Sequence, residues 1–119
     1  GLKSIQTIND TFETAGLAGR LGKHHRNARK TFHLWADAWL DPEFRKWNIE
    51  EYLPRIKCPV LAIQGEDDEY GTMAQLDAIA AQVGGPCELL KLPGCGHSPH
   101  KDQPEKVLQA VAGFVKRFL

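Results

Sequence analysis

The sequence predicts an α/β fold made of two consecutive strand–helix units that follow a helical segment. Residues 59–63 (Pro-Val-Leu-Ala-Ile) form a continuous apolar run, which is typical of a strand covered on both faces in a parallel sheet. Apolar residues at helical spacing come next, and a second strand and a second helix repeat the order. This order requires a crossover connection and a parallel pairing of the two strands.

The first part of the chain, residues 1–52, has the pattern of several helices. A first helix is predicted by apolar residues at helical spacing: Leu2, Ile5, Ile8, Phe12 and Ala15. We expect Gly16 and Gly19 to end it. A second helix is predicted by a stripe of mostly aromatic residues: Phe32, Trp35, Ala36, Trp39 and Leu40. Two short helices, one opened by Pro42 and one around residues 50–56, complete this part.

The second part, residues 53–119, contains the two strand–helix units. The first strand closes at Gly65, and we expect Thr72 to cap the helix that follows it. Residues 87–92 form the second strand, and the final helix begins at Pro104. Because two parallel strands do not make a stable sheet by themselves, we expect these units to be one end of a larger sheet.

The amino-acid composition argues against a nucleic-acid-binding protein and against a membrane-spanning one. The 119 residues contain 15 basic and 15 acidic side chains, so the chain lacks the positive charge that nucleic-acid binders need. No apolar run approaches the roughly 20 residues that span a membrane. Three cysteines cannot all pair, and with no secretory leader we expect free thiols in the cytoplasm. The chain starts at Gly1 and its one methionine is Met73, so we expect a piece of a longer protein.

Two loops rich in reactive side chains follow the two predicted strands. Residues 65–72 (Gly-Glu-Asp-Asp-Glu-Tyr-Gly-Thr) follow the first strand, and residues 93–100 (Pro-Gly-Cys-Gly-His-Ser-Pro-His) follow the second. The carboxyl ends of parallel strands meet at one edge of a sheet, so we expect a carboxylate and an imidazole to lie side by side there. A carboxylate that accepts the Nδ1 proton of a histidine fixes its tautomer and stabilises the imidazolium during catalysis.

These segments resemble the last two strands of the α/β-hydrolase family. Residues 58–68 are similar to the family's seventh strand and its Gly-x-x-Asp loop, whose acid corresponds to Asp68. Residues 88–97 are similar to the eighth strand and the Gly-His loop, with His97 at the position of the base. The final helix resembles the family's C-terminal helix, and residues 1–52 loosely resemble the lid before the seventh strand. The resemblance implies a C-terminal fragment of an α/β-hydrolase: two β–α units of its parallel sheet, preceded by helical lid segments.

The family implies a triad of Ser, acid and His in that chain order. By this resemblance His97 is the general base and Asp68 its orienting acid, with Asp67 as the alternative if the loop is shifted by one residue. The family's Gly-x-Ser-x-Gly motif does not occur, since the only serines are Ser4 and Ser98. The resemblance implies a parent enzyme that hydrolyses an ester, or else an amide or carbon–carbon bond, without a cofactor. The chain alone, lacking the N-terminal half, is expected to be inactive.

The lid segment contains two features that bear on the substrate. Six of the ten aromatic residues lie between residues 32 and 52. Trp35 and Trp39, one helical turn apart, are our candidates for lining an acyl pocket, and packing within the lid is the alternative. A basic cluster at residues 23–30 is either a solvated face or a rim that attracts an anionic substrate.

Other residues and surfaces allow alternatives to the triad. Cys87, Cys95, His97 and His100 have zinc-binding side chains, but their spacing matches no common zinc motif, so no metal site is predicted. Cys95 lies only two residues before the histidine, a sterically awkward place for a replacement nucleophile. The non-enzymatic alternative is a binding module whose exposed sheet edge pairs with another polypeptide, including a second copy of the chain in a swapped homodimer.

Overall fold

The computed structural model describes all 119 residues and divides them into two compact units, residues 1–47 and 48–119. The first unit holds three helices and a short 3-10 helix: α1 (Leu2–Thr11), α2 (Leu17–Gly22), α3 (Ala28–Leu40) and Pro42–Lys46. The second holds a 3-10 helix, two strands and three helices, in the order Glu50–Arg55, β1 (Val60–Gly65), α4 (Ala74–Gln82), β2 (Cys87–Leu92), α5 (Pro99–Asp102) and α6 (Pro104–Phe118). None of these helices has the length and apolar character that crossing a membrane requires.

The first unit is held together by the apolar faces of its helices. The rings of Phe12 and Phe32 stack with their centroids 4.2 Å apart, and Ala36 beside them is fully buried. The apolar stripes predicted for the first helix and for α3 are confirmed only in part: Ile5, Phe12, Phe32 and Ala36 are buried, whereas Leu2, Ala15, Trp35 and Trp39 are exposed. Asn27 is the N-cap of α3: its side chain accepts a hydrogen bond of 3.0 Å from the backbone N–H of Lys30, satisfying one donor of the first turn.

The first helix, α1, ends at Thr11, so the prediction that Gly16 and Gly19 end it is wrong. Gly16 has a left-handed backbone, with φ of 68°, and directly precedes α2. Gly19 lies inside α2. Residues 12–16 form turns between the two helices.

The two strands of the second unit pair in parallel, from Val60 opposite Cys87 to Gly65 opposite Leu92. The predicted order of strand, helix, strand and helix is confirmed. Burial increases toward the carboxyl end of the sheet: the last two residues of β1 and the last residue of β2 are buried, while the earlier ones are partly exposed. The best-packed end of the sheet is therefore the end from which the two reactive loops leave.

Helix α4 lies between the two strands in the chain. With Thr72 as its N-cap it would begin at Met73, but it begins one position later, at Ala74. Its N-cap is Met73, and no side chain caps it, so the prediction for Thr72 is wrong. The backbone carbonyl of Thr72 instead accepts a hydrogen bond of 3.1 Å from the N–H of Gln75. An ion pair of 2.7 Å between Lys91 and Asp77 joins β2 to this helix.

A one-turn helix, α5, lies between β2 and α6, and no periodicity in the sequence predicted it. Pro99 and Pro104 occupy the first positions of α5 and α6, where a missing N–H costs nothing and the fixed φ suits the helix. An ion pair between Arg117 and Glu88 joins α6 to β2. The short α5 brings the chain back over the loop that follows β2.

Candidate active site

The two reactive loops are joined through their backbones at the end of the sheet. The N–H of Glu66 donates to the carbonyl of Leu92 at 2.8 Å, and the N–H of Asp67 donates to the carbonyl of Cys95 at 2.9 Å. A Cβ atom on Gly65 would lie 2.1 Å from that same Cys95 oxygen, so only glycine fits there. The loop after β1 and the loop after β2 are consequently held in a fixed register.

Asp68 is the carboxylate that this register brings to the histidine. Its Oδ1 lies 3.0 Å from Nδ1 of His97 and also accepts a hydrogen bond of 2.8 Å from the backbone N–H of Tyr70. Its Oδ2 accepts a hydrogen bond of 3.1 Å from Nε2 of Gln64. The side chain is only 7% exposed. Both carboxylate oxygens are thus fixed by neighbouring donors.

The same contacts determine the charge of Asp68. Burial alone would raise the pKa of this carboxyl group. The hydrogen bond from the Tyr70 amide, the hydrogen bond and charge of His97, and the hydrogen bond from Gln64 act in the other direction and outweigh it, so the pKa of Asp68 lies below its usual value of 3.8. The group is therefore an ionised acceptor at neutral pH, as an acid that orients a histidine must be.

His97 is held on one side and open on the other. Its side chain is 57% exposed, although Nδ1 faces Asp68. The ring of Tyr70 packs edge-on against the imidazole, with the centroids 4.7 Å apart. A proton on Nδ1, donated to Asp68, leaves Nε2 unprotonated in the neutral imidazole. The arrangement can thus accept a proton at Nε2 and stabilise the resulting imidazolium through Asp68.

Sequence reasoning identified Asp68 and His97 but not the residues that hold them. Gln64 is buried at the end of β1, and Tyr70 contacts both members of the pair. A polar residue closing an otherwise apolar strand was the available signal for Gln64. Asp67, the alternative acid, is exposed and contacts the histidine loop through its backbone N–H.

The other predicted site residues, Trp35 and Trp39, lie on α3 in the first unit. They are 41% and 38% exposed. The ring of Trp35 contacts Phe32, and the ring of Trp39 packs edge-on against Phe44 and Trp47. Each tryptophan thus has one face in an aromatic cluster and part of its surface open to solvent.

The cysteines form neither a disulfide nor a cluster. Cys58, Cys87 and Cys95 are free, and no three His, Cys, Asp or Glu side chains are grouped closely enough to hold a metal ion. Burial raises the pKa of the Cys95 thiol, and the charges of nearby aspartates raise it further. This thiol stays protonated at neutral pH and is a poor nucleophile.

Comparison with known proteins finds similarity at the level of structure. Neither a family model nor a curated protein matches the chain. It is similar to a serine hydrolase involved in carbazole degradation, the CarC enzyme, with a TM-score of 0.61 and 19% identity over 75% of this chain and 34% of that one. A membrane phospholipase A, a bacterial virulence factor, gives a TM-score of 0.61 and 22% identity over 74% of this chain and 27% of that one. The third structure is MGS-MChE2, an α/β hydrolase enzyme from the metagenome of lagoon sediments at Mar Chica, Morocco. Its TM-score is 0.60, with 19% sequence identity over 75% of this chain and 40% of that one.

These similarities establish the class of fold. The chain is an α/β structure with a parallel pair of strands, and it has the fold of part of an α/β-hydrolase, so the predicted fold class is confirmed. More particularly, it spans between 27% and 40% of the length of the three structures it matches. Helical segments precede the two β–α units, as predicted.

Proposed function

We propose that this chain supplies the general base and the orienting acid of a Ser-Asp-His triad in an esterase-like hydrolase. His97 is the base and Asp68 is the acid. The observation that carries the proposal is the 3.0 Å contact between Nδ1 of His97 and Oδ1 of Asp68, made by two loops at the carboxyl ends of paired parallel strands. The α/β-hydrolase fold of the chain supports the same conclusion.

The proposed reaction passes through an acyl-enzyme. The nucleophilic serine comes from a part of the full-length protein outside residues 1–119, which contain no Gly-x-Ser-x-Gly motif. Nε2 of His97 takes the proton of the serine hydroxyl as its oxygen attacks the ester carbonyl, and then gives that proton to the departing alcohol. A water molecule, deprotonated in turn by His97, hydrolyses the acyl-enzyme and restores the serine. Asp68 remains ionised throughout and stabilises the imidazolium.

The first unit is proposed to act as a lid that selects the substrate. The exposed surfaces of Trp35 and Trp39 would contact an aromatic or acyl part of the ester. The basic cluster of residues 23–30 would attract an anionic substrate. Within this cluster only Arg29 is in an ion pair, at 2.8 Å from Glu13, so the other basic side chains keep their charge available. We propose that the protein works in the cytoplasm, where its three free cysteines stay reduced.

The decisive experiment measures hydrolysis of p-nitrophenyl esters by the full-length gene product. His97→Ala should abolish turnover, and Asp68→Asn should lower kcat by about 10⁴-fold. His100→Ala is the matched control, because His100 is an exposed histidine three residues further on, and it should behave as the wild type. Turnover retained in His97→Ala, or a full-length gene without a nucleophile motif, would refute the proposal.

A binding function is the second candidate, favoured by the incomplete burial of the sheet. The first four residues of β1 and the first five of β2 are only partly buried, and Leu108 on α6 is 69% exposed. Pairing with another polypeptide, or with a second copy in a swapped homodimer, would cover this surface. Sedimentation of the 119-residue chain distinguishes the two: a tight dimer of the chain, from a gene that encodes no nucleophile, favours binding.

A further inference from the structure

The loop that carries His97 is anchored at one residue, Cys95, whose side chain is buried and whose carbonyl accepts a hydrogen bond from the N–H of Asp67. It contains two glycines between β2 and the histidine, and Gly94 has a left-handed backbone with φ of 62°. Glycines leave a backbone with more conformational freedom than other residues. The two glycines beside Cys95 therefore need further contacts if His97 is to stay within hydrogen-bond distance of Asp68.

Asp102, the last residue of α5, contacts the backbone on both sides of His97. Its Oδ2 accepts a hydrogen bond of 2.8 Å from the N–H of Gly96, the residue before the histidine. Its own backbone N–H donates, at 3.0 Å, to the carbonyl of Ser98, the residue after it. The histidine is thus bracketed by two hydrogen bonds to one residue.

Gln103 holds the beginning of the same loop. Its Nε2 donates to the carbonyl of Pro93 at 2.8 Å and lies 3.4 Å from the carbonyl of Gly94. Its backbone N–H donates to the carbonyl of Pro99 at 2.8 Å, which closes α5. The two consecutive residues Asp102 and Gln103 therefore fix the loop at its start and next to the histidine.

We propose that Asp102 and Gln103 are positioning residues, which hold the loop of residues 93–97 so that Nδ1 of His97 stays in register with Asp68. The expected effect on turnover rests on the proposed hydrolase function. The expected effect on the shape of the loop does not depend on that function. Neither residue touches the reacting atoms. Loss of either one lets the loop sample other shapes, and a displacement of about 1 Å in a catalytic group lowers a rate up to 100-fold.

The variants are chosen to separate hydrogen bonding from charge and from folding. Asp102→Ala removes the acceptor of the Gly96 N–H, whereas Asp102→Asn removes the charge and keeps an acceptor oxygen. Gln103→Met keeps the length of the side chain and removes its donor. Lys101→Ala, an exposed neighbour on the same short helix, is the control. If Asp102→Ala does not fold, Gln103→Met carries the test.

Two readouts are needed, and the first requires no activity. In the full-length protein without substrate, hydrogen exchange at the Gly96 amide should be at least about tenfold faster in Asp102→Ala and unchanged in Asp102→Asn and Lys101→Ala. In the full-length protein, Asp102→Ala and Gln103→Met should lower kcat at least about tenfold with KM unchanged, because substrate binding is untouched. Asp102→Asn should restore kcat.

The outcomes separate this proposal from the one on which it rests. If His97→Ala abolishes turnover while Asp102→Ala and Gln103→Met match Lys101→Ala, the positioning role is refuted and the hydrolase function stands. If Asp102→Asn is as impaired as Asp102→Ala, the charge of Asp102 matters rather than its hydrogen bond, and the positioning role is refuted again. If His97→Ala retains turnover, the hydrolase function falls, and exchange at Gly96 still decides whether Asp102 holds the loop.

Discussion

Gln64 donates a hydrogen bond of 3.1 Å to Oδ2 of Asp68 from the buried end of β1. The two residues are four positions apart, so the strand that leads into the acid loop also supplies a donor to its acid. Gln64 is 7% exposed and is the buried polar residue of the second unit. Its amide therefore has a defined role: it satisfies the carboxylate oxygen that His97 does not reach.

Replacing Gln64 by Met should destabilise the protein. The variant keeps an unbranched side chain but leaves Oδ2 of Asp68 without its donor, which costs about 1–3 kcal/mol for a buried acceptor. Urea unfolding of the full-length protein measures the loss. The control is Gln109→Met on the exposed surface of α6, where the same substitution should change the unfolding free energy by less than about 0.5 kcal/mol. Equal effects of the two substitutions would contradict the role given to Gln64.

The lowered pKa of Asp68 predicts how stability depends on pH. As the pH falls, the unfolded chain takes up a proton at this group before the folded chain does. The stabilisation by ionised Asp68 is therefore complete above its usual pKa of 3.8 and is lost as the pH falls through its lower value in the folded protein.

Asp68→Asn lacks this ionisation, so its unfolding free energy should approach that of the wild type as the pH drops below about 4. The free energies of unfolding of the two proteins are compared by denaturant unfolding at roughly one-unit steps between about pH 2 and 7. Asp67→Asn, the exposed neighbour in the same loop, is the control and should follow the wild type throughout. A difference between wild type and Asp68→Asn that stays constant over this range would disprove the linkage.

The close approach of the two loops makes Gly65 intolerant of a side chain. A Cβ atom there would lie 2.1 Å from the carbonyl oxygen of Cys95 and 2.3 Å from that of Gly96, both backbone atoms that move only with the loop. Gly65→Ala should therefore destabilise the second unit by about 1–3 kcal/mol or more. Gly113→Ala, within α6, meets only the flexible end of Arg117 at 3.4 Å and should stabilise it by about 0.5–1 kcal/mol. Similar signs for the two variants in thermal unfolding would be inconsistent with this contact.

The ring of Tyr70, rather than its hydroxyl group, is expected to matter for His97. Burial raises the pKa of Tyr70, and the charges of Glu69 and Asp68 raise it further, so the phenol is neutral at the pH of any assay near 7. Tyr70→Phe keeps the edge-on contact with the imidazole and, under the proposed function, should leave kcat of the full-length protein near the wild-type value. Tyr70→Ala loses a contact worth about 0.5–1.5 kcal/mol and should lower kcat several-fold. Impairment of Tyr70→Phe to the same degree would assign the role to the hydroxyl group instead.

Chain topology predicted that the acidic loop and the histidine loop meet, and the family resemblance selected Asp68 and His97 within them. Asp68 and His97 each follow a parallel strand, and the ends of paired strands meet whatever the details of the loops. The residues that hold Asp68 and His97 in place could not be predicted from the topology of the chain. Gln64 looks like any polar residue closing a strand, and α5 has four residues, too few for a helical period to show. Thr72 has the right side chain for a cap, but the helix starts one position beyond it, within the uncertainty of any helix boundary.

The proposed substrate role of α3 predicts a change in KM rather than in kcat. Trp35→Ala and Trp39→Ala remove exposed aromatic surface, which in the proposed function binds the substrate equally in the ground state and the transition state. Each should raise KM of the full-length enzyme several-fold for an aromatic ester and leave kcat unchanged. Leu34→Ala is the matched control, because Leu34 lies on the same helix and is 67% exposed, and its KM should stay at the wild-type value. An equal rise in KM for Leu34→Ala, or a loss of kcat without a change in KM, would assign the two tryptophans to packing within the first unit.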